Sequence, residues 1–348
     1  MSGALILHRA GPGLTVQDMG RPGLARLGLS RGGAADRLAL LEATALLGLR
    51  APVAALEMPA LGGSFEVTQP TRIALTGAPM CADLDGSALR WSASHLILPG
   101  QRLTIGAATS GVYGYLTPAG GILGPEWQGS RAAHLVAGIG AALAAGDRLP
   151  LGDDPAPDAP AQFLPVEDRF TGGLLRWIDG PQTALFPEAT RARFAATPFH
   201  RAPTGNRQGI RLDCDGPAFA ADLPKTGLAS EFILPGDIQM TGDGRPYILL
   251  SECQTIGGYP RIGTVLPADL PRAAQAAPGA VLRFQRVTLA EADALARPRA
   301  ARLASLRAAC RPLRRDPRDM PDLLSYQLIS GVTAGDDLDP PTPLPDLA

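Results

Sequence analysis

The chain has almost no lysine. Lys225 is the single one, so nearly all of the positive charge is carried by arginine. Lys225-Thr226 follows Pro224 instead of glycine, which excludes the G-x-x-x-x-G-K-[ST] phosphate loop. No methionine flanks that lysine, so no covalent biotin is expected on this chain. Any phosphate or carboxylate it holds must be met by arginine forks or backbone N–H groups. Cysteine and histidine are also scarce. Cys81, Cys214, Cys253 and Cys310 are scattered with no C-x-x-C, which supports neither a disulfide framework nor a zinc site. His8, His95, His134 and His200 lack ligand spacing and read as surface or satisfied core residues, so no metal is expected. A formal net charge of −1 gives no basic footprint for nucleic acid. Long apolar runs are missing too. The segment from Ala132 to Ala145 contains His134 and two glycines and is short of the ~20 residues of a membrane span. No charged n-region precedes an apolar run at the N-terminus. A soluble, cytoplasmic protein with no membrane partner is expected.

What is abundant is glycine and proline, 41 and 34 of 348 residues, which favours many short strands and turns over long helices. The length suits two domains. Asp153-Asp154-Pro155-Ala156-Pro157-Asp158-Ala159-Pro160 alternates acids and prolines and reads as an extended linker. The expected organisation is a first domain over 1–152, a linker over 153–162, a second domain over 163–290, and a helix with a partly disordered tail over 291–348. The two halves echo each other. Ile97-Leu98-Pro99-Gly100 recurs as Ile233-Leu234-Pro235-Gly236, Gly120-Gly121 as Gly257-Gly258, and Ala145-Gly146-Asp147 is answered by Pro278-Gly279-Ala280. Three features in the same order at nearly constant offset indicate a duplication.

The stretch Gly236 to Val265 is the densest in chemistry. Tyr247-Ile248-Leu249-Leu250 is a continuous apolar run and reads as a strand covered on both faces, with Asp243-Gly244 turning into it. It runs into Ser251-Glu252-Cys253-Gln254-Thr255 and then Gly257-Gly258-Tyr259-Pro260. Such a segment either brings backbone and polar groups up to a ligand or is a polar turn that satisfies itself. Two arginine features pose the same choice. Asp36 is an N-cap for a helix over Arg37 to Leu47, and the glycine segment before it carries Arg31, with Arg21 and Arg26 near by. A helix N-terminus in that setting suits an anion. Arg207 and Arg211, if extended, share a face and could fork a carboxylate or phosphate. Local acids such as Asp213 and Asp215 could equally occupy them.

Several of these motifs coincide with a known family. Gln17-Asp18-Met19-Gly20-Arg21, Gly33-Ala34-Ala35-Asp36, Glu57, Thr76-Gly77-Ala78, Arg207-Gln208-Gly209-Ile210-Arg211-Leu212 and Gln254-Thr255 with Gly257-Gly258-Tyr259-Pro260 fall in family order over roughly residues 4–290. In them the chain resembles the allophanate hydrolase subunit 2 family, also called biotin-dependent carboxyltransferase-like, which includes the C subunit of 5-oxoprolinase. It departs from the pattern at Gly138-Ile139-Gly140-Ala141-Ala142, where relatives usually show an arginine. The resemblance implies a mainly β fold with a few helices: two tandem cyclophilin-like β-barrel domains plus a C-terminal helix and tail.

No serine–histidine arrangement or dinucleotide fingerprint is present. The candidate site is therefore a set of carboxylates, amides and arginines suited to binding and polarising a small amide or carboxylate. Asp18, Glu57 and Asp36 are the candidate catalytic carboxylates, with Asp18 or Glu57 as the base. Gln17, Arg21, Arg207, Arg211, Gln239, Gln254, Thr255 and Tyr259 are the candidate substrate-binding residues. The polar groups of both halves are expected to converge on one cleft. The resemblance implies three functions. The first is an ATP-dependent 5-oxoprolinase subunit that opens the pyroglutamate lactam with a subunit 1-like (B-type) partner and an A-type partner, ATP being bound here or by a partner. The second is half of a carboxyltransferase serving urea or a related amide. The third is a Kip-type regulator that binds its family partner. The length, with neither a biotinyl domain nor a fused amidase, favours the first.

Overall fold

The computed structural model describes residues 3–223 and 228–314. The readings made above for Lys225 and Thr226, and for the tail beyond Arg314, lie outside the described residues.

In the first half, alternating strands build two antiparallel sheets that face one another. One sheet runs in the order Arg148–Pro150, Ala4–Ala10, Gly63–Val67, Leu103–Ala108, Met80–Leu84, Ser87–Ala88. The other runs Thr15–Gln17, Ala55–Pro59, Tyr113–Pro118, Thr71–Gly77, Ala93–Ile97, Gln162–Phe163, Arg311–Pro312. Leu5, Leu7, Phe65 and Ile105 from the first meet Leu56, Ile73, Leu75 and Leu116 from the second in one core. The strand Gly63–Val67 alternates buried and half-buried residues because only one face is covered. Thr71–Gly77 is buried at every position, because helix α1 (Arg37–Leu46) covers its other face. The Asp36 carboxylate caps α1 by accepting from the N–H groups of Leu38 and Ala39 at 3.0 and 3.2 Å. Gly48, at φ +68°, follows its C-terminal end, where a side chain would be strained.

In the second half the strands close on themselves. The barrel order is Gly172–Ile178, Arg261–Val265, Asp237–Met240, Pro246–Leu249, Gly209–Asp213, Phe199–Gly205, Val281–Arg286, and a parallel pairing of the last with the first completes the ring. Its interior is aromatic. Phe194 of helix α2 (Glu188–Ala196) packs within 5.7 Å, centroid to centroid, of Trp177, Phe199, Phe219 and Phe284. A short helix, α3 (Leu270–Gln275), bridges two barrel strands. The chain then forms α4 (Leu289–Leu295), which a Thr288/Glu291 capping box starts, and α5 (Arg299–Ala309). The single helical stretch expected over Thr288 to Cys310 is broken in two, because Pro298 cannot continue α4 and instead begins α5. Helix α5 packs on α1, and Arg311–Pro312 pairs with Gln162–Phe163 in the first half.

The duplication inferred from the sequence is visible in the backbone. Gly100 and Gly236 both turn at positive φ, +85° and +100°, and so do Gly146 and Gly279, at +96° and +84°. The segment that reads as a linker is fastened down at one point, where Arg72 holds the Asp154 carboxylate with two bonds of 2.8 Å. Among the described residues, no helix is long and apolar enough to cross a membrane.

Candidate functional site

The candidate residues fall into three groups: one is tied up in a buried ion-pair network, and the other two include residues that line two different cavities. The first is a buried polar network at the junction of the two halves. Arg207 lies in the turn before the strand Gly209–Asp213 and points inward. It donates from Nε to Glu252 at 2.6 Å, from Nη2 to the Gly33 carbonyl at 2.5 Å, and from Nη1 to Glu57. The other Glu57 oxygen accepts from the Ala35 N–H at 2.8 Å and the Tyr115 hydroxyl at 2.7 Å. Tyr115 in turn accepts from the Asp36 N–H at 2.8 Å. The second Asp36 oxygen accepts from Arg169 at 2.7 Å and from Gln275 at 2.9 Å, and Arg169 forks onto Glu42 with two bonds of 2.8 Å.

Every member of this network has a partner, and Glu57 and Asp36 are fully buried. Burial raises the Tyr115 hydroxyl far above its ordinary range, with Glu57 adding to it, so Tyr115 stays a donor. Burial opposes the charge on Arg207, but Glu57 and Glu252 outweigh it and hold the guanidinium above its usual value. Glu57 and Asp36 thus both serve as acceptors within the fold, and both lie in the buried network. The helix N-terminus read as an anion site is filled the same way. The Asp36 carboxylate is the anion, and Arg31 donates to the Met19 carbonyl at 2.9 Å.

The second place lies in the first half. Asp18, the other candidate base, accepts from the Gly20 N–H at 2.8 Å, the Ser130 hydroxyl at 2.7 Å and the Arg131 N–H at 2.7 Å. It ties two loops together and is likewise not free. Gln17 donates to Thr15 and to the Ala133 carbonyl, both at 3.1 Å. Arg21 is almost fully buried, donates to the Ala132 carbonyl at 2.6 Å and lies 5.5 Å from the Trp127 ring. It lines a mostly apolar cavity of about 460 Å³ with Trp127, Arg131 and Ile139.

The third place is a cleft of about 320 Å³ on the barrel, and it gathers Gln239, Gln254 and Tyr259 with Asn206, Gln208, Thr241 and Tyr247. Strand Asp237–Met240 supplies Gln239, and the loop after Pro246–Leu249 supplies Gln254. A Cβ on Gly257 would stand 2.8 Å from Gln239 Nε2, so the missing side chain leaves room for that carboxamide. Gln254 is exposed and the Tyr259 ring is half exposed, both available to a ligand. Thr255 is buried beside the cleft but does not line it; its carbonyl accepts from the Ile233 N–H at 3.0 Å. Arg211 does not join Arg207. It faces solvent and pairs with Asp213 at 2.9 Å and Asp243 at 3.2 Å, the local pairing that was the alternative.

Sequence reasoning missed Arg169, Glu42, Tyr115 and Gln275, and left Glu252 out of the site. One signal was available. Glu42 interrupts the apolar run of α1, and a charge on a buried helix face requires a counter-charge. Nothing local marked Arg169, 127 residues further on, as that partner.

Comparison with known proteins agrees with this architecture. The profile of the carboxyltransferase domain, subdomain A and B, matches residues 27–286. The chain is 36% identical over 293 residues to the C subunit of 5-oxoprolinase from Escherichia coli K12, covering 83% of this chain and 93% of that protein. It is 31% identical over 287 residues to the same subunit of Haemophilus influenzae, covering 81% and 91%. Among solved structures, the urea amidolyase of Kluyveromyces lactis matches with a TM-score of 0.79 at 25% identity, over 87% of this chain and 20% of that one. The chain thus corresponds to about a fifth of that larger protein.

Proposed function

Because the chain belongs to the carboxyltransferase domain, subdomain A and B, family, we propose that it is the C subunit of an ATP-dependent 5-oxoprolinase and binds the lactam for partner subunits that complete its opening. The observation that carries this reading is the character of the barrel cleft. Its polar groups are mainly neutral carboxamides and hydroxyls, and among the described residues no charged side chain lines it. The lactam of 5-oxoproline offers one carbonyl acceptor and one N–H donor, and the carboxamides of Gln239 and Gln254 can meet both, while its carboxylate is left to neutral donors of the cleft or to a cation of a partner subunit. The Tyr259 ring gives an apolar surface for the methylenes with a hydroxyl at its edge.

The same lining does not fit a nucleotide. A triphosphate calls for cationic forks or a nest of backbone N–H groups, and among the described residues the cleft offers neither lysine nor arginine. In this reading ATP is handled by a partner, and the chain's own part is to hold and orient the amide. The three carboxylates that could have served as a base here are committed to the fold, so the proton and water chemistry falls to a partner as well. Over the reaction the lactam C–N bond breaks, water supplies the new carboxylate oxygen, and the nitrogen leaves as the amine of glutamate.

The test is phosphate release dependent on both 5-oxoproline and ATP, using the chain purified together with its B-type and A-type partners. The reading expects turnover that requires this chain and weakens when Gln254 or Gln239 is replaced by alanine. The likeness to the urea amidolyase favours one other reading, half of a carboxyltransferase acting on urea with biotin carried by a partner. No 5-oxoproline turnover, but carboxyl transfer to urea when a carboxybiotinylated partner is supplied, would replace the first reading by the second.

A further inference from the structure

A cavity of about 520 Å³, sharing no lining residue with the barrel cleft, lies where α1, the segment before Arg169, helix α3 and the two C-terminal helices meet. Five arginines line it: Arg169, Arg176, Arg272, Arg297 and Arg302. Three carboxylates also line it: Glu42, Glu167 and Asp269. Two of those arginines are already spent. Arg169 is forked onto Glu42, and Arg176 holds Asp269 with bonds of 2.8 and 2.5 Å. Among the described residues, Arg272, Arg297 and Arg302 form no ion pair, and only Glu167 is left to set against them. Five arginines thus line the cavity against three carboxylates, and Asp36, which Arg169 also holds, and Asp168, whose carboxyl Arg272 influences, offset part of that excess from behind the wall.

Two of these arginines are placed by the fold around them. Arg272 donates to the Gly172 carbonyl at 2.6 Å, and a Cβ on Gly173 would stand 3.1 Å from its Nη1. Gly173, at φ +114°, thus clears the path along which that guanidinium lies. Arg302 presents itself on one face of α5 with Ser305, Leu306 and Ala309, at the spacing of neighbours along a helix. Both Arg297 and Arg302 stand beyond residue 286, where the match to the family profile ends.

We propose that this cavity binds a small oxyanion through Arg272, Arg297 and Arg302. Planar guanidinium forks match the oxygens of carboxylate and phosphate alike, and the volume lies in the range of small-molecule sites. An occupant would bridge α5 to the barrel through Arg302 and Arg272. It would also lie against the Arg169–Glu42 pair that leads into the junction between the halves.

The test is calorimetric titration of the full chain with inorganic phosphate and, separately, with citrate at matched ionic strength. Saturable binding is expected for at least one, weakened at least tenfold in the Arg297→Ala/Arg302→Ala double variant and unchanged in an Arg9→Ala control. Binding of phosphate alone would assign a phosphorylated ligand, binding of citrate alone a polycarboxylate, and both would assign the oxyanion class. Should the double variant fold poorly, Arg297→Glu, a change at an exposed position, replaces it. No saturable binding of either anion, or equal binding by the variant and the control, would overturn the proposal. The measurement needs no partner subunit and no turnover, so its outcome is independent of the 5-oxoprolinase reading.

Discussion

Arg207 of the second half reaches Glu57 in the core of the first, across 150 positions of sequence, and the same guanidinium holds Glu252 at 2.6 Å. One cation thus neutralises two buried carboxylates and joins the halves. Removing one partner of a buried ion pair strands the other, which costs about 3–5 kcal/mol. Arg207→Met is expected to lower the chemical-denaturation midpoint by that order without a change in slope. A loss of under about 1 kcal/mol would show that water already screens the site.

Arg169 sets up a second such pairing, between Asp36 and Glu42. Burial pushes the Glu42 carboxyl up, and Arg169 works against that shift. In Arg169→Met both carboxylates lose their counter-charge. The variant should be destabilised at neutral pH and recover part of its stability on acidification, as Glu42 takes up a proton. Denaturation midpoints at pH 7 and pH 5, compared with the parent chain, check this. A deficit that is the same at both values would mean that Glu42 does not titrate in the variant.

The barrel strands, the α1 cap and the repeated turns could be read in the sequence because each depends on local chemistry. Asp36 sits two and three residues from the N–H groups it caps, and Gly100 and Gly236 take up the positive φ that the Pro-Gly pairs suggested. The grouping of Gln254 and Tyr259 was legible for the same reason, five residues apart on one loop, and Gln239 joins them through a neighbouring strand. What could not be read was the use made of Asp18, Asp36 and Glu57. The composition of a motif does not reveal whether a carboxylate faces a ligand or a partner 133 or 150 residues away. Charged motifs that looked catalytic turned out to fasten loops, a helix cap and the junction of the halves.

Gly257 separates binding from stability in the barrel cleft. In Gly257→Ala the new methyl meets Gln239 Nε2 at 2.8 Å and Ile233 Cδ1 at 3.0 Å. Both are ends of flexible side chains and can move aside, so the fold should lose about 1 kcal/mol or less. The Gln239 carboxamide would be displaced from its place in the cleft. Losing one neutral hydrogen bond of about 0.5–1.5 kcal/mol predicts a KM for the amide substrate raised roughly 2- to 10-fold. An unchanged KM in the assembled enzyme would remove Gln239 from the binding set.

His134 predicts a pH dependence of stability. Its Nδ1 accepts from the Ala137 N–H at 3.3 Å, and its Nε2 lies 2.9 Å from the Ser30 hydroxyl, an arrangement that requires the neutral ring with the proton on Nε2. Burial lowers its pKa, Glu252 opposes that shift, and Arg21 and Arg207 add to it. A histidine held below its unfolded value of about 6.5 contributes stability that is complete above that pH. The contribution is lost as pH falls through the lower folded value, because the unfolded chain binds the proton first. In His134→Asn the side-chain carbonyl can still accept from Ala137 but cannot titrate. Its denaturation midpoint should therefore fall less steeply than that of the parent chain from pH 6.5 to pH 5. The difference in slope approaches at most about 1.4 kcal/mol per pH unit, the value for one proton. Parallel profiles would mean that the ring takes up its proton alike in the folded and unfolded states, and the acid sensitivity would then belong to the buried carboxylates.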